Sequence, residues 1–510
     1  MKAYRKYMYV GLPVLGVLFY LFYLHRAAID LVYSDYIRLT LSYLPDVWDP
    51  EKFFVPDLLT RIPVNFLERA VNVELFGYSV TFDRVLGVLG FGLSALILGA
   101  YSRKMRIGAG WFTAMMVFMF SLNKWEMLYN GTGWAHFLAF GCFFYNYYVL
   151  ERVYGSGGEK KGDMARLLVL PALVTIGVAG PYCAIYIMTL VLAYLFVFVR
   201  KQTGWKQTAL LLATAVLPLV LYLWSNSMAV YEYSGAVEGS MVEALREDPG
   251  FFLKFLLKSF ASMIFGVELI NRHMAEVPGI VWCLAGALVA AAYFLALWMN
   301  FYYGIEKRTL FPLMLLAGGG MNHLMVLVSR WIFMPRDAYG MSSRYALQYQ
   351  IGILGIFLTF ALVFQQQRAG RTSGDREEDG QTSYEHGKGP RARNRAERPM
   401  APWVRAAALM AAALFLGGNL MTTAEELSFA KHRKQHNIND VKPVVLNFEN
   451  ETDEALETAL EYHKPGIREA LSILKENGWN VFGEAGGNTM ESGGKNESSN
   501  SGRRIWNKDQ

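Results

Sequence analysis

Two short stretches of this chain carry most of the side chains able to do acid–base chemistry or to hold an anion. The first, IDLVYSDYIRLTLSYLPDVWDPEKFFVPDLLTRIP, presents Asp30, Asp35, Arg38 and Asp46. It also presents Asp57 and Arg61 at a spacing that lets a helix pair them. The second, RWIFMPRDAYGMSSRYALQYQ, presents Arg330, Arg336, Asp337, Arg344 and Tyr345. A carboxylate can take a proton from a hydroxyl, and an arginine fork grips phosphate oxygens through two parallel hydrogen bonds. Together the stretches suit acid–base work beside a bound phosphate. Aromatic faces that fit sugar rings stand at Trp125, Trp134 and His136 beside Glu126, and at Tyr231 and Tyr233 beside Glu232. Span ends in any membrane protein carry such rings as well. No GxxxxGK[ST] or GxGxxG loop occurs, and no metal-ligand set of recognisable spacing, although the acidic first stretch stays compatible with a divalent cation.

What must position these groups is a membrane bundle. The 510 residues are 53% hydrophobic and 15% aromatic, but only 18% are charged. That deficit excludes a water-soluble enzyme, a nucleic-acid binder and a disordered scaffold. The three cysteines, Cys142, Cys183 and Cys283, lie in apolar segments and suggest neither a disulfide framework nor a zinc cluster. Apolar runs predict eleven transmembrane helices, at 8–25, 85–101, 108–122, 135–150, 167–179, 182–199, 207–224, 279–299, 309–329, 346–366 and 405–421. The run from Leu167 to Val199 has no formal charge and would be about 50 Å long as one helix, too long for a single crossing. Gly180-Pro181 breaks it, and a tight helical hairpin is expected there. The first run is long and lacks an A-x-A site, so it reads as an uncleaved anchor.

Basic clusters fall at Lys2/Arg5/Lys6, Arg103/Lys104/Arg106, Arg152 to Arg166, Arg200/Lys201/Lys206, Lys307/Arg308, and Arg368 to Arg405. Two predicted crossings separate each neighbouring pair. All six clusters can therefore lie in the cytoplasm, with the N-terminus inside and the C-terminus outside.

This arrangement sends loops 26–84, 123–134, 225–278 and 330–345 outward from a core spanning 1–366. Within 225–278, Lys254 and Lys258 share one face of an amphipathic segment at 249–269, expected to lie at the membrane surface. A flexible cytoplasmic linker (367–403) leads to the last span, 404–421. The tail 422–482 is outside, with helices near 450–461 and 464–477. The Gly/Ser/Asn-rich residues 483–510 read as disordered. Asn322 and His323 are the main polar pair inside a span and fit the role of polar links between helices.

The S-D-x-x-R at 34–38, the T-R-I-P at 60–63, the S-R-Y at 343–345 and the phrase REALSILKENGWNVF at 468–482 resemble bacterial GT-C superfamily members. These are multi-pass membrane glycosyltransferases related to the protein O-mannosyltransferases and the lipid A aminoarabinose transferase. The doubled acidic motif of the better-studied families is absent, since Tyr36 follows Asp35. The resemblance implies an inverting transferase in the cell membrane that moves a hexose from a polyprenyl-phosphate donor to an acceptor outside the cytoplasm. It implies Asp35 as the base, with Asp30 and Asp46 as alternatives. Arg344 then holds the donor phosphate, with Arg336 second. Arg38, Arg61, Tyr345, Trp125 and His136 are supporting candidates. Membrane lipid is a partner, nucleic acid is not, and no cofactor is specified. Two other readings stay open: a non-enzymatic translocator of lipid-linked saccharides, and a scaffold that binds envelope partners through its tail.

Overall fold

The computed structural model describes residues 2–54, 62–155, 158–227, 237, 239–334, 336, 338–378 and 398–483. Among them the chain is entirely helical, with no strand. The helices are α1 (Lys2–Ala27), α2 (Asp35–Tyr43), α3 (Pro63–Phe76), α4 (Val80–Lys104), α5 (Ala109–Met119), α6 (Trp125–Asn130) and α7 (Trp134–Tyr154). They continue with α8 (Asp163–Val174), α9 (Cys183–Val199), α10 (Trp205–Asn226), α11 (Met241–Glu247), α12 (Pro249–Ala261) and α13 (Val267–His273). The remainder are α14 (Gly279–Tyr302), α15 (Phe311–Arg330), α16 (Ala346–Glu378), α17 (Pro402–His436), α18 (Lys442–Leu446), α19 (Asp453–Leu460) and α20 (Ile467–Glu476).

Among the described residues, seven helical segments are long and apolar enough to cross a membrane: Tyr7–Ala27, Val80–Lys104, Trp205–Asn226, Gly279–Tyr302, Phe311–Phe333, Ser343–Arg368 and Pro402–Leu446. Each coincides with one of the eleven expected spans. The other four differ for identifiable reasons. Helix α5 is only 11 residues long, and α8 only 12 before its last turn widens at Thr175–Ala179. Helix α9 has 17 residues, and α7 carries His136, Asn146, Glu151 and Arg152 among its aromatics. The Leu167–Val199 run does break at Gly180, whose φ of +54° suits a residue without Cβ.

Packing sorts the chain into two bodies of core. In the larger, α4 lies along α7, α15 along α16, and α1 against α4, α5 and α17. Segment 249–269 does not rest on a membrane surface alone. Helix α12, about 20 Å long at 1.5 Å per residue, packs along α14 and α15, and Lys258 is buried. Asn322 and His323 do link helices, through Asn322 Nδ2 to the Gln348 carbonyl (3.3 Å) and His323 Nδ1 to Ser259 Oγ (2.9 Å).

The second body is a helical cap. Residues 29–47 and α3 pack against 441–482 through Tyr36, Ile37, Val73, Val445, Leu456, Leu460 and Leu471. The last span runs on well past 421, because α17, one wide turn and α18 follow without interruption to Leu446. The tail helices lie at Asp453–Leu460 and Ile467–Glu476, within the expected stretches. Helix α16 also extends to Glu378, into the expected linker. Residues 379–397 and 484–510, with the expected disordered end, lie outside the described residues.

Contacts gather the basic clusters at one end of the bundle. Tyr9 Oη donates to the Ile107 carbonyl, Gln365 to Met105 (3.2 Å), Gln366 to Tyr303 (3.2 Å), and Arg200 to Glu306 (2.6 Å). Arg398 lies over Tyr302 at 4.7 Å. The cap is joined to the other end.

Helix α12 approaches α14 so closely that a Cβ at Gly286 would stand 1.7 Å from the Leu257 carbonyl oxygen. Backbone cannot yield as a side chain does. Gly286→Ala is therefore expected to destabilise the protein by about 1–3 kcal/mol, seen as a lower thermal midpoint; an unchanged midpoint would contradict this packing.

Candidate functional site

The site is built where the cap meets the bundle. Residues 28–34 leave α1 and turn into α2, whose first residue is Asp35. This turn is tied down from three directions. Ser34 N–H donates to the Leu460 carbonyl (2.6 Å), Val32 N–H to Asn480 Oδ1 (3.1 Å), and Arg84 Nη1 to the Ile29 carbonyl (2.5 Å). Asn480 also donates to the Tyr78 carbonyl (3.1 Å), and its φ of +55° is one that asparagine tolerates. Beneath α2, a fully buried Arg69 pairs with Asp83 and Glu68. Asp83 accepts from Tyr36 Oη (2.6 Å) and Asn72 Nδ2 (2.6 Å). This buried cluster locks α2, α3 and α4 together, and losing one partner would strand a charge in the core.

From the other direction comes the single turn Ser343–Tyr345 that opens α16, with Ser342 Oγ accepting from the Arg344 N–H (3.4 Å). The structure brings the two distant stretches together. Arg344 Nη1 lies 3.9 Å from Asp35 Oδ2, and Arg38 Nη2 lies 3.8 Å from Asp35 Oδ1. Arg344 Nε is gripped by Glu126 Oε1, and Glu126 Oε2 accepts from Ser343 Oγ (2.9 Å). Glu126 therefore fixes both the guanidinium and the turn that carries it. The helix bearing Glu126 is itself anchored by buried Lys124, whose Nζ reaches the Met119 carbonyl (2.9 Å), the Ser121 carbonyl (3.0 Å) and Tyr20 Oη (3.2 Å). Burial drives that ammonium down to about 7.

Further groups line the same end. Arg433 of α17 stacks on Trp125 at 3.6 Å and donates to Glu426 (2.8 Å), which also accepts from Tyr23 Oη (2.8 Å). Tyr33 meets Tyr129 edge to face at 5.4 Å, and Asn437 bonds the Tyr129 hydroxyl. Glu461 feels Glu126, Arg344, Arg433 and His436. Desolvation by surrounding protein and then the Glu126 charge raise its carboxyl. Burial, reinforced by Glu126 and Glu426, raises Glu268 to about 7.

Other sequence candidates have different places. Asp30 accepts from Val80 N–H (2.7 Å), Thr81 N–H (3.2 Å) and Ser79 Oγ (2.7 Å), so its carboxylate is committed to the start of α4. Asp46 lies beyond the far end of α2 from Asp35. Arg336 lies over Phe333 at 5.3 Å, and Tyr345 is buried near Tyr349. His136 is buried in α7, 4.2 Å from the Tyr182 ring, where it cannot meet a substrate sugar without rearrangement. Arg61, Asp57, Asp337, Tyr231, Glu232 and Tyr233 lie outside the described residues. Among the described residues no three His, Cys, Asp or Glu side chains are placed to hold a metal ion.

Reading the sequence missed the roles of Lys124, Glu268, Glu426, Arg433 and Glu461. Glu426 and Arg433 sit at (i, i+7) on one face of a helix that was expected to end at 421. Once the helix is continued, that spacing is the signal that pairs them. No family model, curated protein or solved structure matches the chain.

A carboxyl raised above its unfolded value of about 4.5 stabilises the fold fully below that value and loses the contribution as pH climbs through its folded value. Thermal midpoints should therefore fall between about pH 4.5 and 7 through Glu268. Glu268→Gln should flatten that segment of the profile, and a superimposable profile would refute the assignment.

Proposed function

We propose that this protein is an inverting glycosyltransferase of GT-C type that takes a hexose from a polyprenyl phosphate and passes it to an acceptor hydroxyl outside the cytoplasm. The observation that carries the reading is the Asp35–Arg344 pair, a carboxylate and a guanidinium from stretches some 300 residues apart meeting at the end of the bundle away from the basic clusters. On this reading the bundle has eleven crossings in the cell membrane of a bacterium, with the basic end in the cytoplasm and the cap outside.

The chemistry follows from what each side chain can do. Asp35 accepts the proton of the acceptor hydroxyl as that oxygen attacks the anomeric carbon. The bond from that carbon to the phosphate oxygen breaks, and the electron pair leaves with the lipid phosphate. Arg344 receives the developing charge. Glu126 occupies Nε and leaves the outer guanidinium edge, which faces Asp35 at 3.9 Å, for the donor. Phosphate binding there competes with Asp35 for the cation, so the donor itself releases the base. Arg38 stands at the other carboxylate oxygen, 3.8 Å away.

The test is purified protein incubated with radiolabelled polyprenyl-phosphate hexoses and total envelope extract. Asp35→Asn should lose at least about 10²-fold in transfer while donor lipid still binds. Arg344→Gln should raise the donor KM. Full transfer by a folded Asp35→Asn protein would remove Asp35 as the base. Donor lipid movement across vesicles without any transfer would favour the translocator.

A further inference from the structure

A concave site lies at the other end of α2, and its chemistry differs from that of the Asp35–Arg344 contact. It encloses about 520 Å³ and is walled by Asp46, Trp48, Asp49, Val73, Glu74 and Trp479. Trp48 is 61% exposed, which is unusual for an indole away from apolar neighbours. Its ring is nonetheless fixed. Nε1 donates to Glu74 Oε1 at 2.8 Å, and Phe66 meets it edge to face at 6.4 Å. A flat aromatic face is thus held open and rigid at a groove. Trp479, delivered by the turn after α20 and anchored by its N–H to the Leu474 carbonyl (2.9 Å), contributes a second indole.

The electrostatics narrow the occupant. Three carboxylates border the groove and supply acceptors without donors. Lys52, the nearest cation in sequence, turns its ammonium to the Tyr43 carbonyl (2.9 Å). Sulfate, phosphate and anionic lipid headgroups are disfavoured there. A metal ion is disfavoured too, because among the described residues these carboxylates do not converge. A pyranose ring meets the remaining requirements. Its C–H face covers a fixed indole, and its equatorial hydroxyls donate to carboxylates around the edge.

We propose that this groove binds a neutral or amino-sugar oligosaccharide as a distal acceptor subsite. Helix α2 separates the two, since its nine residues run about 12–14 Å at 1.5 Å per residue from Asp35 toward the turn that carries the groove. An acceptor glycan long enough to span that length is held at the groove while its terminal hydroxyl reaches the base. The acceptor role rests on the transferase reading above, whereas saccharide binding in the groove does not.

The experiment is isothermal titration of the full-length protein in nanodiscs with chitotetraose, mannotetraose, maltotetraose and chitosan tetraose, and with a heparin tetrasaccharide as the anionic probe. Saturable binding of at least one of the first four is expected, with no binding of the heparin fragment. Trp48→Ala should weaken binding at least tenfold, and Trp48→Phe less so. The proposal is overturned if none of the four binds, or if Trp48→Ala binds equally well. Quenching of Trp48 by brominated lipid would also overturn it, by placing the ring in the membrane. If the parent protein binds saccharide but transfers no hexose, the groove stands and the transferase reading falls. If transfer depends on Asp35 while Trp48→Ala binds saccharide normally, the reverse holds.

Discussion

An arginine held between two carboxylates from separate loops is the contact on which the far end of this bundle depends. Arg344 alone would be a cation at a helix start, free to swing toward water. With Glu126 on Nε and Asp35 facing Nη1, its plane is fixed, and the loops at 35, 126 and 344 share one geometry. Exposed ion pairs contribute little to stability by themselves, and half-exposed Arg344 is no exception. What the pair fixes is position. The supports around it hold that position: buried Lys124 beneath α6 and the paired Arg69–Asp83–Glu68 cluster beneath α2, in which loss of one partner would strand a charge.

The cap explains why Asp35 can stay where it is without a strong helix cap of its own. Ser34 has φ +50° and makes no side-chain bond to the helix start. Its N–H is instead satisfied by Leu460, and its neighbour Val32 by Asn480. Two segments more than 400 residues apart in sequence thus complete one turn. The tail also brings Glu461 within the electrostatic reach of Glu126 and Arg344, and Trp479 to the groove. The geometry around Asp35 is therefore coupled to docking of the tail, through hydrogen bonds rather than through any covalent link.

Much of this was legible beforehand, and the physics says which part. Apolar length marks a span because lipid offers no hydrogen bonds, so the seven long apolar helices were visible as composition. Helices α5 and α8 were marked by the same apolar composition, but their short lengths of 11 and 12 residues were not. The continuation of α17 past 421 is hidden by its polar residues, of which Glu426, Glu425 and Arg433 turn to Tyr23, Arg272 and Trp125. The meeting of the 35 and 344 stretches was anticipated from parity of charge and crossings. Glu126 was seen only as a neighbour of aromatic rings, because its partner lies 218 positions away. In the sequence, Asp30 matches Asp35 in residue type and ranks behind it as an alternative base. Only the N–H groups of α4 distinguish them, by claiming one and leaving the other free for a cation.

Proximity of those two stretches on one side of a membrane can be measured directly. In a protein whose Cys142, Cys183 and Cys283 are replaced by alanine, Asp35→Cys and Arg344→Cys are combined and intact cells are treated with a short, membrane-impermeant bis-maleimide. The account predicts an internal cross-link formed from outside, detected as one linked peptide after proteolysis and absent from either single variant. Labelling of either cysteine only after the membrane is opened, or labelling of both from outside without a cross-link, would contradict it.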